Sequence, residues 1–507
     1  MGINSRSKNS ILNAISAMML TLVNGLFGVV VTKMVISHYG SDFNGLNSTA
    51  NQIVNMLLIL EGGFTVASNV SLFAPLTKGD YNLVNGILSA TLNKFRKIGA
   101  LFLGIGSVVA VGYGFLVNSS LKVEFIITVI LMTVFPAAFN LFYATTYRVL
   151  LQTQQKEYVI SFITMLTIGS GHIANMIMMS LNGPMWAIRF ITMSFAIFNS
   201  LLIAGYTKSK NKFINLKVEP QQQLIQGTKD VMVQKITGVI YNSFPIVFLS
   251  ISPTGGTILA SVYAVYNQIF TMIKSLLHAA IDAPRLSFGQ LLTEKKREEV
   301  WPVFKIYEFI AFFAVFVLLS TCAIMILPFV KLYTEGINDA NYYDAVIAVL
   351  MVSIAVIEMI HIPSGHLLNM AGKFKISKNF QLIACITLLI TMTVGGAYFG
   401  VYGMLAALLL CAVILAMLEM GYVHLMFFKN KLFELFNLIF PFILIGLTVC
   451  YLESLIPITI NSYLSFFVYG LLFFAINTII ALLIGFIFNK KIMLSLLTRA
   501  KKLILKK

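Results

Sequence analysis

Ionisable side chains lie inside long apolar stretches of this sequence, where a charge is costly. Glu61 lies near the middle of the stretch 47–80, which predicts one continuous membrane-spanning helix. Glu358 and His361 lie in the stretch EMIHIPSGH, where Pro363 and Gly365 predict a break in the helix. A carboxylate at the centre of a bilayer costs at least ~2.5 kcal/mol, so these groups are expected to face protein or a water-filled cavity. A carboxylate and an imidazole one helical turn apart can share a proton. We therefore assign Glu61, Glu358 and His361 to the binding of protons or sodium ions.

A polar stripe follows one face of the apolar segment 257–281. Its members are spaced by four, three, four and four residues, which is the spacing of one helix face. They are Asn267, Thr271, Lys274, His278 and Asp282. Such a stripe cannot face lipid, so it indicates a wall of a polar cavity.

Cations also lie in two further apolar segments, at Lys33 and Arg189. Arginine and lysine bind phosphate strongly where the dielectric constant is low, so these cations favour an anionic substrate. For Lys274 the alternative is an internal ion pair with Glu61 or Glu358, and for Lys33 it is contact with the membrane interface. The candidate substrate-binding residues are Lys33, Arg189, Asn267, Lys274 and His278.

The composition places these residues in a membrane. Of the 507 residues 58% are hydrophobic and 11% charged, and the mean hydropathy is +0.87. Repeated apolar runs of 18 or more residues indicate membrane-spanning helices, whereas a membrane β-barrel would show alternation. We therefore predict an all-α polytopic membrane protein with about 14 transmembrane helices.

The net charge of +17 is explained by the position of the basic residues. If both termini are cytoplasmic, only Lys122 and Lys331 fall in outer loops, and almost all other Lys and Arg residues lie in inner loops. Basic inner loops are typical of membrane proteins. The charge therefore predicts contact with anionic membrane lipids, not with nucleic acid.

A short repeat divides the chain. The tripeptide NQI at 51–53 recurs at 267–269, and each copy is followed by an ionisable residue within an apolar segment. We predict two parallel six-helix lobes, two further helices and a basic tail. The boundaries are 1–206 for the N-lobe (spans 1–6), 207–230 for a cytoplasmic linker, 231–428 for the C-lobe (spans 7–12), 429–488 for spans 13–14 and 489–507 for the cytoplasmic tail.

Motifs of catalysis are not recognisable in the sequence. It has no nucleotide-binding P-loop, HExxH or GxSxG motif, and its four cysteines lie in apolar segments without metal-ligand spacing. A membrane glycan polymerase or ligase would need a large outer loop with catalytic polar residues, and the longest predicted outer loop, 331–344, is short. We expect no enzyme, no cofactor and no metal site.

The segment 39–80 together with NKFRKIG at 93–99 resembles the Wzx-type polysaccharide flippases of the multidrug/oligosaccharidyl-lipid/polysaccharide exporter superfamily. Gly40 and Gly45 match the glycine-rich first outer loop of that family. The Glu61-Gly62-Gly63 sequence matches its acidic residue before a small-residue segment, and Lys94, Arg96 and Lys97 match its basic entry to the third span.

The resemblance implies a flippase that moves undecaprenyl-diphosphate-linked oligosaccharide from the inner to the outer leaflet of the bacterial cytoplasmic (inner) membrane. It implies O-antigen, capsule or exopolysaccharide assembly, ion antiport as the energy source, and a polysaccharide polymerase and glycosyltransferases as partners. The alternatives are a drug/cation antiporter or a lipid II flippase of the same superfamily. An acidic cavity would favour the drug antiporter, whereas the cations found here favour an anionic substrate.

Overall fold

The computed structural model describes residues 3–225, 229–282 and 285–504, and this part of the chain is helical without a β-strand. Two compact units divide it, Met1–Val265 and Tyr266–Lys507. The boundary falls within the helix Thr257–Asp282 and not within the linker 207–230. The two predicted six-helix lobes, 1–206 and 231–428, are defined by the number of spans and not by compactness, so they stay a prediction.

The first unit contains eight helices and the beginning of a ninth. They are α1 (Ile3–Leu57), α2 (Phe64–Lys78), α3 (Tyr81–Leu116), α4 (Val123–Phe139), α5 (Thr145–Thr153), α6 (Glu157–Ser180), α7 (Met185–Lys210), α8 (Lys229–Ile251) and α9 (Thr257–Asp282). A π-helical turn, Asn140–Ala144, joins α4 to α5. The core of this unit is apolar, with aromatic side chains such as Phe43, Phe95 and Phe102 fully buried between the helices.

The second unit continues from α9 through eight more helices. They are α10 (Arg285–Glu294), α11 (Arg297–Tyr333), α12 (Ala345–Ile360), α13 (Ile362–Met370), α14 (Phe374–Gly421), α15 (Leu432–Ser454), α16 (Tyr463–Phe488) and α17 (Lys490–Ile504). The last of these lies within the predicted basic tail 489–507, and the cytoplasmic location of that tail stays a prediction.

Eleven helical segments of the described chain are long and apolar enough to cross a membrane, which confirms the predicted all-α polytopic membrane fold. Two of the eleven contain a glycine with non-helical torsion angles, Gly40 in α1 and Gly400 in α14, where two helices join. α9 is not among the eleven, and it carries the polar stripe predicted from the sequence. Dividing the two segments at their glycines and including α9 gives the 14 helices expected.

The second apolar span is broken, which corrects the single continuous helix expected around Glu61. α1 ends at Leu57, a 3₁₀ turn covers Leu58–Glu61, and α2 starts only at Phe64. Gly62 and Gly63 have φ angles of 57° and 75°, a left-handed conformation that glycine adopts without steric cost and that ends a helix. Glu61 therefore does not share one continuous helical face with the residues of α2.

Glycine also allows a close approach between α1 and the first turn of α9. A Cβ atom at Gly45 would lie 1.7 Å from the carbonyl oxygen of Thr257, so no other residue fits there without a shift. One position earlier, Asn44 donates a hydrogen bond to Ser261 at 2.7 Å. This packing places the first turns of α9, which precede the polar stripe, against α1 within the first unit.

Candidate functional site

The α9 stripe contains an ion pair in the second unit. Lys274 Nζ lies 2.9 Å from Glu358 Oε2 on α12, and the two side chains are 21% and 13% exposed. Both groups are removed from most solvent contact, and each supplies the opposite charge that the other needs in a low dielectric. The structure thus brings together two predicted site residues from distant parts of the sequence, in the arrangement that the sequence left as the alternative for Lys274.

Further along the stripe, two histidines approach Asp282. His278 Nδ1 and His366 Nε2 each lie 3.5 Å from Asp282 Oδ1. Tyr307 donates its hydroxyl proton to the carbonyl oxygen of Ile281 at 2.8 Å, and its hydroxyl oxygen lies 2.9 Å from His366 Nδ1.

The helix that contains Glu358 is interrupted where the sequence predicted a break. α12 ends at Ile360 and α13 starts at Ile362, with Pro363 in its first turn. Proline is tolerated at this position because the first N–H groups of a helix have no partner within the helix. His361 is the residue between the two helices.

Glu358 and His361, which were predicted to act together, each pair with a different residue: Glu358 with Lys274, and His361 with Glu419. His361 Nδ1 lies 2.8 Å from Glu419 Oε2 on α14, and the Glu419 side chain is 2% exposed. A Cβ atom at Gly365 would lie 2.8 Å from the same carboxylate oxygen. The glycine of the PSG sequence therefore gives space to Glu419, which the sequence did not identify as a site residue.

Glu61 has a cationic partner within the first unit. Lys235 Nζ on α8 lies 3.4 Å from Glu61 Oε2, and the side chains are 40% and 15% exposed, respectively. The side chain of Met232, one turn earlier on α8, packs on Gly62. The broken span is thereby held against α8 by one ion pair and one apolar contact.

Arg189 is buried within the first unit, with 4% of its surface exposed. Its guanidinium donates hydrogen bonds to Asn51 Oδ1, at 3.0 Å, and to the carbonyl oxygen of Asn47. The two other predicted binding residues, Lys33 on α1 and Asn267 on α9, are half-buried. Arg189 and Lys274 thus belong to different compact units, and each has its own neighbours.

Sequence reasoning also missed buried acidic groups in the second unit. Glu308 Oε1 lies 3.0 Å from His424 Nε2, and neither side chain is exposed. Glu453 is 5% exposed and lies beside the side chain of Asn477. A single Glu at or near the end of an apolar segment was the only available signal for both, because their partners are remote in sequence.

The described residues contain no group of three or more His, Cys, Asp or Glu side chains arranged to hold a metal ion. In the second unit the groups described above are paired acids and bases: the Lys274–Glu358 pair, two His–Glu pairs and a His–Asp–His arrangement. These groups can exchange protons or a cation as their surroundings change.

Comparison with solved structures finds the same architecture in membrane transporters. An inward-facing multidrug resistance MATE family transporter of the MOP superfamily matches with a TM-score of 0.64 at 12% identity, over 81% of this chain and 96% of that one. The lipid II flippase MurJ, in an inward closed conformation, matches with a TM-score of 0.63 at 12% identity, over 93% of this chain and 98% of that one.

An outward-facing structure of a MATE family transporter of the MOP superfamily also matches, with a TM-score of 0.59 at 12% identity, over 82% of this chain and 95% of that one. No family model matches the sequence, and no curated protein matches it. The likeness is therefore one of fold: this chain has the fold of MOP-superfamily transporters.

Proposed function

We propose that this protein is a flippase that carries undecaprenyl-diphosphate-linked oligosaccharide from the inner to the outer leaflet of the bacterial cytoplasmic membrane. The observation that carries the proposal is the Lys274–Glu358 pair at 2.9 Å, within a fold shared with transporters. Ionisable groups inside membrane-spanning helices are retained where they serve a substrate or an ion, since they cost stability elsewhere.

The choice of a lipid-linked substrate rests on two features. The lipid II flippase structure matches over 93% of this chain, whereas the MATE transporter matches over 81%. The chain also carries cations within its spans, at Lys33, Arg189 and Lys274, which suit the diphosphate of the lipid. Asn267 and His278 on the same stripe supply hydrogen bonds for the sugar.

The energy source in this proposal is ion antiport. Glu358, Glu61 and the His361–Glu419 pair bind protons or sodium ions, and opening to either side of the membrane changes their solvation. Lys274 is released from Glu358 when the acid is protonated or binds another cation, and is then available to the diphosphate. Binding of the ion and binding of the cargo thus exclude each other at one carboxylate.

The topology in this proposal has both termini in the cytoplasm, as the basic inner loops favour. The tail helix α17 lies on the inner leaflet, and glycosyltransferases there supply the lipid-linked oligosaccharide. A polysaccharide polymerase receives it on the outer side.

Transport in liposomes tests the proposal. The protein is reconstituted with undecaprenyl-diphosphate-linked oligosaccharide that carries a fluorophore on its sugar, and membrane-impermeant dithionite reports which leaflet holds it. The unmodified protein is expected to accelerate exchange, Lys274→Ala to abolish it and Lys274→Arg to retain part of it. Lys305→Ala is the matched control, because that lysine is also paired with a glutamate, Glu434, at 3.4 Å but is more exposed.

A drug/cation antiporter is the second candidate, favoured by the MATE match with a TM-score of 0.64. It predicts proton-driven accumulation of an organic cation such as ethidium in inverted vesicles. Ethidium transport by the unmodified protein, with no exchange of the lipid-linked oligosaccharide, would replace the flippase proposal. Exchange that is equal in Lys274→Ala and the unmodified protein would remove the role of the Lys274–Glu358 pair.

A further inference from the structure

A cavity of about 340 Å³ lies among the helices of the first unit. Its lining follows α7 from Arg189 to Ser200, a distance of ~16 Å at ~1.5 Å per helical residue. At the Ser200 end, Arg148 of α5 donates a hydrogen bond to Asn199 Oδ1 at 2.5 Å. The cavity therefore has one arginine near each end of a long polar column.

The charges of the two arginines are not balanced by an acidic residue. The lining of the cavity contains no Asp or Glu, and within the described residues neither arginine forms an ion pair. Their hydrogen-bond acceptors are neutral: Asn51 and the Asn47 carbonyl oxygen for Arg189, and Asn199 for Arg148. The Nε atom of each arginine is buried without a hydrogen-bond partner.

Two positive charges in a helix bundle are unfavourable unless an anion accompanies them, because the low dielectric weakens solvation. The guanidinium group matches the oxygen atoms of phosphate in geometry. Neutral hydroxyl and amide groups between the arginines, at Thr133, Asn140 and Thr192, add hydrogen bonds to an oxyanion. The volume exceeds that of a few water molecules, at about 30 Å³ each.

We propose that this cavity of the first unit binds a phosphate-bearing anion between Arg148 and Arg189. The anion is inorganic phosphate or pyrophosphate, or the diphosphate of a lipid. For the diphosphate of a lipid, the proposal rests on the flippase function, in which Arg189 is already one of the cations for that group, and it adds Arg148 and the cavity between them. For a free anion it rests on this cavity alone. A failure to bind any anion would not count against transport through the Lys274–Glu358 pair. A failure of transport would not count against the anion site.

Thermal unfolding of the detergent-solubilised full chain tests it. Phosphate, pyrophosphate and farnesyl diphosphate are each compared with gluconate at constant ionic strength. An anion that binds only the folded state raises the melting temperature, by about 2 °C or more when it is well above its dissociation constant. Arg148→Gln and Arg189→Gln are each expected to lose this rise. Arg96→Gln, which removes an exposed arginine outside the cavity, is expected to keep it.

The three ligands separate the possible sources of the phosphate group. A rise with phosphate or pyrophosphate identifies a free anion as the ligand, and a rise with farnesyl diphosphate alone identifies a lipid head group. No rise with any of them, or the same rise in both cavity variants, overturns the proposal.

A second measurement needs no variant. Crystals of the unmodified protein are soaked in arsenate, a phosphate analogue with anomalous scattering. An arsenic peak between Arg148 and Arg189 is the expected result. A peak only elsewhere, or none at saturating arsenate, counts against the site.

Discussion

The coupling free energy between Lys274 and Glu358 can be estimated from the geometry of their ion pair and then measured. At 2.9 Å, and with an effective dielectric constant of about 20, the gross Coulomb attraction is about 6 kcal/mol. Desolvation of both groups, which are 21% and 13% exposed, offsets much of it. We expect a net coupling of about 1–3 kcal/mol between the two side chains.

A double-mutant cycle measures this coupling. Lys274→Met, Glu358→Gln and the double variant are unfolded by titration with sodium dodecyl sulfate in mixed micelles. Lys274→Met should be the least stable single variant, by about 2–3 kcal/mol, because it leaves a carboxylate that is largely buried and unpaired. The double variant should recover part of this loss, since neither charge then remains.

The pair of Lys305 with Glu434 is the control cycle within the same unit. It is longer, at 3.4 Å, and more exposed, at 32% and 42%, so its coupling is expected to be about 0–1 kcal/mol. If the Lys274–Glu358 changes are additive within ~0.5 kcal/mol, or no more coupled than the control pair, the pair does not form as described.

Three further predictions concern the other buried acids. Gly365→Ala is expected to displace the Glu419 carboxylate, because the new Cβ would lie 2.8 Å from its Oε2 atom. The response of transport to a pH gradient should then fall in vesicle assays. Stability should change by only ~1 kcal/mol, since alanine favours the helix by about that amount. Glu308→Leu should destabilise the protein by about 3–5 kcal/mol in the same unfolding assay, because it leaves His424 fully buried without its partner. Glu308→Leu combined with His424→Leu should regain most of that loss. Glu61→Gln should cost less than ~1 kcal/mol, because its lysine partner is 40% exposed, but it should slow transport of the lipid-linked oligosaccharide.

For each of these predictions, one result would contradict the reasoning. Gly104→Ala is the matched control for the glycine, because no atom lies within 4 Å of its added Cβ, and equal transport by both alanine variants would contradict the role of Gly365. A double variant at Glu308 and His424 as unstable as Glu308→Leu would show that packing, not the lost partner, causes the cost. Unchanged transport by Glu61→Gln would exclude that carboxylate from ion coupling.

The sequence by itself determined the class of fold. Apolar runs of membrane-spanning length leave helices as the structure, because every backbone polar group in lipid needs a partner within its own segment. The polar stripe from Asn267 to Asp282 was visible for the same reason, since helical periodicity alone places its members on one face of α9. The break before Pro363 followed from the chemistry of proline.

Only the tertiary structure decided which charges are neighbours. Lys274 meets Glu358 across 84 residues of sequence, and Glu308 meets His424 across 116. Local spacing carries no information on such pairs, because they depend on which helices pack together. Spacing predicted instead that Glu358 and His361 act as one pair, whereas the helix ends between them and the imidazole binds Glu419.

The break at Gly62 and Gly63 shows the same division between sequence and structure. Two adjacent glycines permit a left-handed turn but do not require one, and other glycines in this chain lie within regular helices. The pairing of Glu61 with Lys235 and the packing of Met232 on Gly62 accompany the turn. The placement of Arg148 and Arg189 along one acid-free cavity could not be read from local pattern either, because α5 and α7 are brought together only by the packing of the first unit.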